Sequence, residues 1–323
     1  MGPGHLAIGL AAQYVASKPD QEQPNPSLAA SITLAASKQT YYTIRFLVDR
    51  ERVLDAYRAY GYFRWLDDRL DQSGMEKPDR LVFVERQGTL IDRCYRGEWP
   101  RRLTDEEAML VQLVQGDREK NSGLRSYLCN MMAVMAFDAE RRGRLISKTE
   151  LAEYTRHLAV GVTEALHYFI GHGCKTPQGE ARYLAVTAAH ITHMLRDTLE
   201  DAQAGYFNIP REHIESRGIG PHEVWSNPYR KWVQSRVEQA RDCFKVGRDY
   251  LAQVENPRCR LAGYAYIARF DRVLNTIEQD GYRLRAEYPE CESWVAGPRM
   301  IGAALSRTFN RCLENKPYAL PTR

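Results

Sequence analysis

Two segments of this sequence place aspartates where they could act together. In Phe63-Arg64-Trp65-Leu66-Asp67-Asp68-Arg69-Leu70-Asp71, and again in Leu195-Arg196-Asp197-Thr198-Leu199-Glu200-Asp201, two aspartates stand four positions apart. On a helix that spacing puts both carboxylates on one face. Like charges so placed repel, so a chain has little structural reason to build the pair twice. Oxygen-only ligands suit Mg²⁺, which is held by a few carboxylates together with substrate phosphates and water. Arg64 lies one turn before Asp67, and Arg196 adjoins Asp197. Each arginine could bind phosphate oxygens that a metal leaves uncovered. A solvated helix face, its acids paired with neighbouring arginines, would explain one such motif; two, each with an arginine and apolar flanks, favour chemistry.

The elements around these residues read as helices. From Val53 through Leu54, Tyr57, Tyr60, Phe63 and Leu66, apolar residues recur at helical spacings. Similar patterns predict helices over about 27–47, 78–97, 105–115, 121–142, 147–170, 179–204, 225–255, 258–287 and 296–315. Ser147-Lys148-Thr149-Glu150 has the form of a capping box, and Gly171-His172-Gly173 would close the helix it opens. Pro210 and the Gly218–Pro221 stretch interrupt the later part. Alternating β-branched runs bounded by turns are missing, so the expected fold class is all-α. The proline-rich stretch from Lys18 to Pro26 divides a peripheral N-terminal segment, 1–26, from a single helical domain, 27–323.

Composition narrows the setting. With 45 basic and 41 acidic residues the formal charge is +4, which gives no argument for nucleic acid. Seven scattered cysteines without a CxxC pair read as reduced thiols rather than as a disulfide framework or zinc site. No apolar run approaches the roughly 18–20 residues that span a bilayer, and the first ten residues lack the basic start of a signal peptide. The expected location is the cytoplasm.

The segment Tyr60-Gly61-Tyr62-Phe63-Arg64-Trp65-Leu66-Asp67-Asp68-Arg69-Leu70-Asp71 resembles the first motif of the squalene/phytoene synthase family, the head-to-head trans-prenyltransferases. From His190 through His193, Arg196, Asp197, Glu200 and Asp201 to Gly205 and Pro210, the chain resembles the second motif in acidic core and length. Looser likeness covers Met135–Asp138 with Glu150–Tyr154, Ala240-Arg241, and Arg272–Tyr282, about 30–287 in all. Thr40 and Tyr41 sit where relatives have a Ser-Phe element beside the phosphates. The resemblance implies a class I isoprenoid synthase fold, one large helical domain whose central cavity is lined by two Asp-rich helices. Asp67, Asp71, Asp197 and Asp201 would hold Mg²⁺, with Mn²⁺ the alternative, and Arg64 and Arg196 would assist.

The departures are informative. His190 and His193 replace the Gln and Asn that precede the second-motif arginine in relatives. That Asn usually helps hold a metal, so His193 is a candidate metal ligand or phosphate donor, and an imidazole there could favour a transition metal. A hydrogen-bonded pair of core histidines is the alternative. Tyr206 and Asn208 replace the family's Arg and Tyr, so one phosphate-side arginine is missing. Leu158-Ala159-Val160-Gly161-Val162-Thr163 departs from the Ala-Gly-x-Val-Gly of the prenyl channel.

The implied reaction is ionisation of one farnesyl or geranylgeranyl diphosphate and capture of its cation by a second. A cyclopropyl intermediate then rearranges to a squalene-, dehydrosqualene- or phytoene-like hydrocarbon. Squalene formation in relatives needs NADPH; the chain has no Gly-rich dinucleotide fingerprint, but NADPH-using relatives lack it too, which leaves that cofactor open. Because substrate chain and product partition into lipid, peripheral contact with a membrane is expected. Two other readings are a class I terpene synthase acting on one prenyl diphosphate, and an inactive synthase fold serving as a scaffold. The oligomeric state has no signature in the sequence.

Overall fold

A computed structural model describes residues 28–288, apart from Ser73. The described chain forms α1 (Leu28–Ala36), α2 (Lys38–Leu47), α3 (Val53–Leu70), α4 (Lys77–Tyr95), α5 (Asp105–Gly116), α6 (Gly123–Arg141), α7 (Lys148–Phe169), α8 (Leu184–Ala204), α9 (Arg211–Arg217), α10 (Asn227–Leu251) and α11 (Pro257–Gln279). Short 3₁₀ turns, Arg50–Arg52 and Glu180–Tyr183, lead into α3 and α8, and no strand occurs among the described residues. The expected all-α class is therefore what the chain adopts.

Most helices fall where the periodicity placed them, with local differences. The stretch 27–47 is two helices, because Ser37 ends α1 and caps α2, its Oγ accepting the Thr40 N–H at 3.1 Å. The stretch 179–204 begins as a 3₁₀ turn rather than as helix. The stretch 258–287 ends at Gln279, and Gly281 follows with φ +60°. A short helix not expected, α9, opens at Pro210 and closes at Gly218. The capping box of Ser147 and Glu150 is formed as read. The helix expected over 296–315 and the segment 1–26 lie outside the described residues.

One apolar core threads the bundle, with Leu66, Leu128, Leu195, Val233, Phe244 and Leu274 each at most 1% exposed. Each such burial is worth roughly 1.5–3 kcal/mol against exposure. Two pairings set the geometry of the site: α6 lies along α7, and α8 along α10. The second is close because Gly247 of α10 has no side chain; a Cβ there would sit 2.8 Å from the Ala185 backbone nitrogen.

Polar ties fix the ends of the helices. The Asp49 carboxylate accepts the Gly171 N–H at 3.1 Å and the His172 N–H at 2.9 Å, and pairs with Arg258. Its own N–H donates to the Phe169 carbonyl at 2.9 Å. One residue thus joins the approach to α3, the end of α7 and the start of α11. A second tie joins the loops after α6 and α8, where the Gly143 N–H donates to the Gly205 carbonyl at 2.8 Å and Arg142 Nε to the Ala204 carbonyl at 3.1 Å. Gly205 makes that turn in the left-handed region, φ +87°.

Candidate active site

The first Asp pair ends α3, with Asp67 in its last turn and Asp71 as its C-cap, and the second lies in the last two turns of α8. Asp138 of α6 lies near both, its charge acting on Asp67 and on Asp201. Tyr206, in the loop after α8, feels Asp71 and Asp138 together. Three helices thus bring to one region acids that are far apart in the chain.

Burial, and then the neighbouring Asp71, push Asp67 up to about 7 against the pull of Arg64. Burial, and then Asp197, push Asp201 to about 7 as well, against Arg141 and Asn208. Asp67 is enclosed by helices, yet 45% of its side-chain surface meets solvent, so the site is a wet cleft inside the bundle. For these two carboxylates burial outweighs the nearby arginines, and a cation beside them would favour their charged forms.

The arginines are held by the acids they would serve. Arg64 reaches Asp67 at 3.3 Å and grips Asp68 through two nitrogens. Arg196 clasps Asp197 at 2.5 and 2.7 Å. Thr40 engages the Tyr60 hydroxyl, one turn before Arg64, which links α2 to the first motif. The Tyr41 ring instead stacks on Tyr57 at 5.2 Å and helps pack α2 on α3.

The two histidines have separate settings rather than forming a pair. His193 Nε2 lies 3.1 Å from Asp197 Oδ2, and its ring faces Phe270 at 6.4 Å. Desolvation lowers its pKa to about 4 although half of its side chain borders the cleft, so it is neutral there and has a lone pair to offer. His190 is buried edge-on to Tyr154 at 5.1 Å, and burial holds it well below its ordinary pKa. Its Nε2 has no hydrogen-bond partner among the described residues.

Sequence reasoning missed Arg141. From the last turn of α6 its Nε donates to Asp138 at 2.6 Å and its Nη1 to Asn208 Oδ1 at 2.8 Å. Asn208 Nδ2 in turn donates to Asp201 at 2.6 Å, and Tyr154 donates to Asp138 at 2.9 Å. The Arg141 guanidinium lies 4.8 Å from the Tyr154 ring centre and 5.0 Å from that of Tyr206. Tyr206 and Asn208, which follow Gly205 where relatives have Arg and Tyr, thus meet Arg141 of another helix. An Asp and an Arg three apart on one helix was the only local signal.

Among the described residues no three His, Cys, Asp or Glu side chains are close enough to hold a metal by themselves. The carboxylates would supply an ion with a partial shell, and the remaining positions would fall to phosphate oxygens and water.

The sequence profile described as Squalene/phytoene synthase matches residues 34–293. Among curated proteins, the chain is 22% identical over 278 residues to chloroplastic phytoene synthase 3 of Zea mays, covering 81% of this chain and 62% of that protein. It is 28% identical over 120 residues to 15-cis-phytoene synthase of Synechococcus elongatus, covering 35% and 38%. These matches thus span less than two thirds of the relatives' length. The fold is similar to a squalene synthase from Alicyclobacillus acidocaldarius, with TM-score 0.63, 17% identity, and 80% and 94% of the two chains covered. It is likewise similar to a dehydrosqualene synthase solved with a ligand, with TM-score 0.68, 17% identity, and 87% and 95% covered.

Proposed function

The chain belongs to the squalene/phytoene synthase family, and from that premise we propose that it joins two prenyl diphosphates head to head to a squalene-, dehydrosqualene- or phytoene-like hydrocarbon. The observation that carries this reading is the meeting of two Asp pairs around Asp138, each pair with its own arginine.

The donor set fits Mg²⁺, being oxygen-rich and incomplete without phosphate. Asp67, Asp71, Asp197 and Asp201 would hold the ions, with His193 beside Asp197. Bound there, Mg²⁺ supplies positive charge toward which a diphosphate can leave. The chain's own groups do the rest. Arg64 and Arg196 turn from their aspartates toward diphosphate oxygens. Arg141 stays with Asp138 and Asn208 and keeps Asp201 aimed into the cleft. Phe137, Tyr154 and Phe270 exclude water from the allylic cation and offer it aromatic faces. The alkene of the second substrate attacks that cation, and the new cation gives up a proton to the released diphosphate as the cyclopropane closes. The cyclopropyl diphosphate so formed ionises in its turn. With NADPH as hydride donor the product would be squalene-like; without it, a more unsaturated hydrocarbon. Substrate and product chains partition into lipid, which favours peripheral membrane contact; among the described residues no helix is long and apolar enough to cross a membrane.

The test is incubation of the purified protein with Mg²⁺ and farnesyl or geranylgeranyl diphosphate, with and without NADPH, followed by mass spectrometry of organic extracts. A hydrocarbon of doubled carbon count, lost in Asp67→Ala and in Asp197→Ala, is expected. A product with the carbon count of one substrate would replace this reading with a terpene synthase. No turnover of either substrate, with Mn²⁺ tried as well, would overturn it.

A further inference from the structure

Another face of α8 borders a cavity of about 670 Å³ that none of the chemistry above uses. It lies between α7, α9 and α10, and its size is that of a site for one small ligand. Its floor is apolar, made by Leu151, Ala159, Leu184, Ile191 and Trp232. Charges line the rest, and most of them are committed. Glu180 is clasped by Arg156, with one contact at 2.9 Å. Glu212 accepts the Lys148 backbone N–H at 3.0 Å.

Two cations are uncommitted: Lys148, exposed at the rim, and the half-buried Arg236. Its guanidinium donates to the neutral Gln239 Oε1 at 2.6 Å and lies 6.0 Å from the Trp232 ring centre. No carboxylate among the described residues pairs with it. Its side chain is half-buried, one turn along α10 from Trp232 in the cavity lining. Burial lowers its pKa to about 10, whereas Arg64, Arg141 and Arg241 are all raised by acidic partners. A partly buried cation without an anion is costly, and a ligand that brings one would remove the cost.

We propose that this cavity is a second ligand site, for an amphiphile with a single carboxylate head and an apolar chain. The head pairs with Arg236 and the chain lies over Leu151, Leu184 and Trp232. An apolar floor calls for the chain, and Arg236, the half-buried one of the two uncommitted cations, calls for a negative charge beside it. The lining has no aspartate pair to hold metal ions, which separates this ligand from a prenyl diphosphate. The site stands whether or not the chain condenses prenyl diphosphates.

The test is calorimetric titration of the full chain with dodecanoate below its micelle concentration, and with dodecanol as the uncharged counterpart. One equivalent of dodecanoate is expected to bind. Arg236→Gln should weaken it at least about tenfold, the loss expected for a hydrogen bond to a charged group, while dodecanol binds both proteins alike. Ala152→Trp, at an exposed lining position, should block both ligands and serves if Arg236→Gln does not fold. Asp197→Ala should leave dodecanoate binding unchanged. Four results would overturn the proposal: no binding by the native chain, unchanged dodecanoate binding in Arg236→Gln or Ala152→Trp, loss of it in Asp197→Ala, or equal weakening of dodecanol by Arg236→Gln.

Discussion

Replacing Arg141 by Met keeps the stem of the side chain and removes its charge. The native Arg141 side chain is 6% exposed and bonds Asp138 at 2.6 Å, while the Asp138 side chain remains 23% exposed. Deleting one partner of a buried pair costs about 3–5 kcal/mol, because the other is left charged and unpaired. The partial exposure of Asp138 places this case near the lower end, about 3 kcal/mol. With a urea m-value of about 3 kcal/mol/M, the unfolding midpoint should fall by about 1 M. Asp138→Asn should remove most of that penalty. A double-mutant cycle over the two positions should then return a coupling of about 1.5–3 kcal/mol. Activity reports on the other arm: with Asn208 freed from Arg141, Asp201 loses its aim, so kcat should drop more than KM rises. A midpoint unchanged to within about 0.2 M, or a cycle that sums to zero, would refute the idea that Arg141 organises the acids.

Metal-free protein should lose stability as pH rises, because Asp67 and Asp201 have folded-state pKa values of about 7, above the ordinary 3.8. Their contribution is complete below the unfolded value and is lost as pH climbs through 7. Mg²⁺ with pyrophosphate should therefore raise Tm more at pH 8 than at pH 5.5, and by little in Asp67→Ala/Asp197→Ala; equal shifts at both pH values would count against the carboxylate assignment. Asp49 runs the opposite way. Burial alone would raise its pKa, but the N–H groups of His172 and Gly171, with Arg258, outweigh that and hold it below 3.8. Its stabilisation is thus present above the unfolded value and fades as pH falls through the folded one. Asp49→Asn should cost about 2 kcal/mol at pH 7, and the gap between the two denaturation curves should close toward pH 3. Gly247→Ala gains about 1 kcal/mol of helix propensity but sets a Cβ 2.8 Å from the Ala185 nitrogen. Chemical denaturation should show a net loss of about 1–2 kcal/mol, and a stabilised variant would mean that α8 and α10 can separate freely.

Much of the molecule was legible because helices advertise themselves locally. The DxxxD spacings, the Ser147/Glu150 box and the Gly171 stop all involve residues within a turn or two of each other. The cap at Ser37, which divides 27–47 into two helices, was not read, because the apolar periodicity runs through it. The short α9 has too few turns to show a period.

By itself the sequence determined that the chain is helical, that two carboxylate pairs each share a helix face, and which arginines accompany them. Helix geometry makes those statements follow from spacing within one element. Only the tertiary structure decided that Asp138 lies near both pairs, that Arg141 ties Asp138 to Asn208, and that His190 and His193 part. It also set Arg236, with no acid partner among the described residues, in the wall of a cavity. These arrangements depend on how α3, α6, α8 and α10 pack, through contacts such as Gly247 on Ala185 and Gly143 on Gly205. Residues that meet across such packings are remote along the chain, so no local pattern records their meeting.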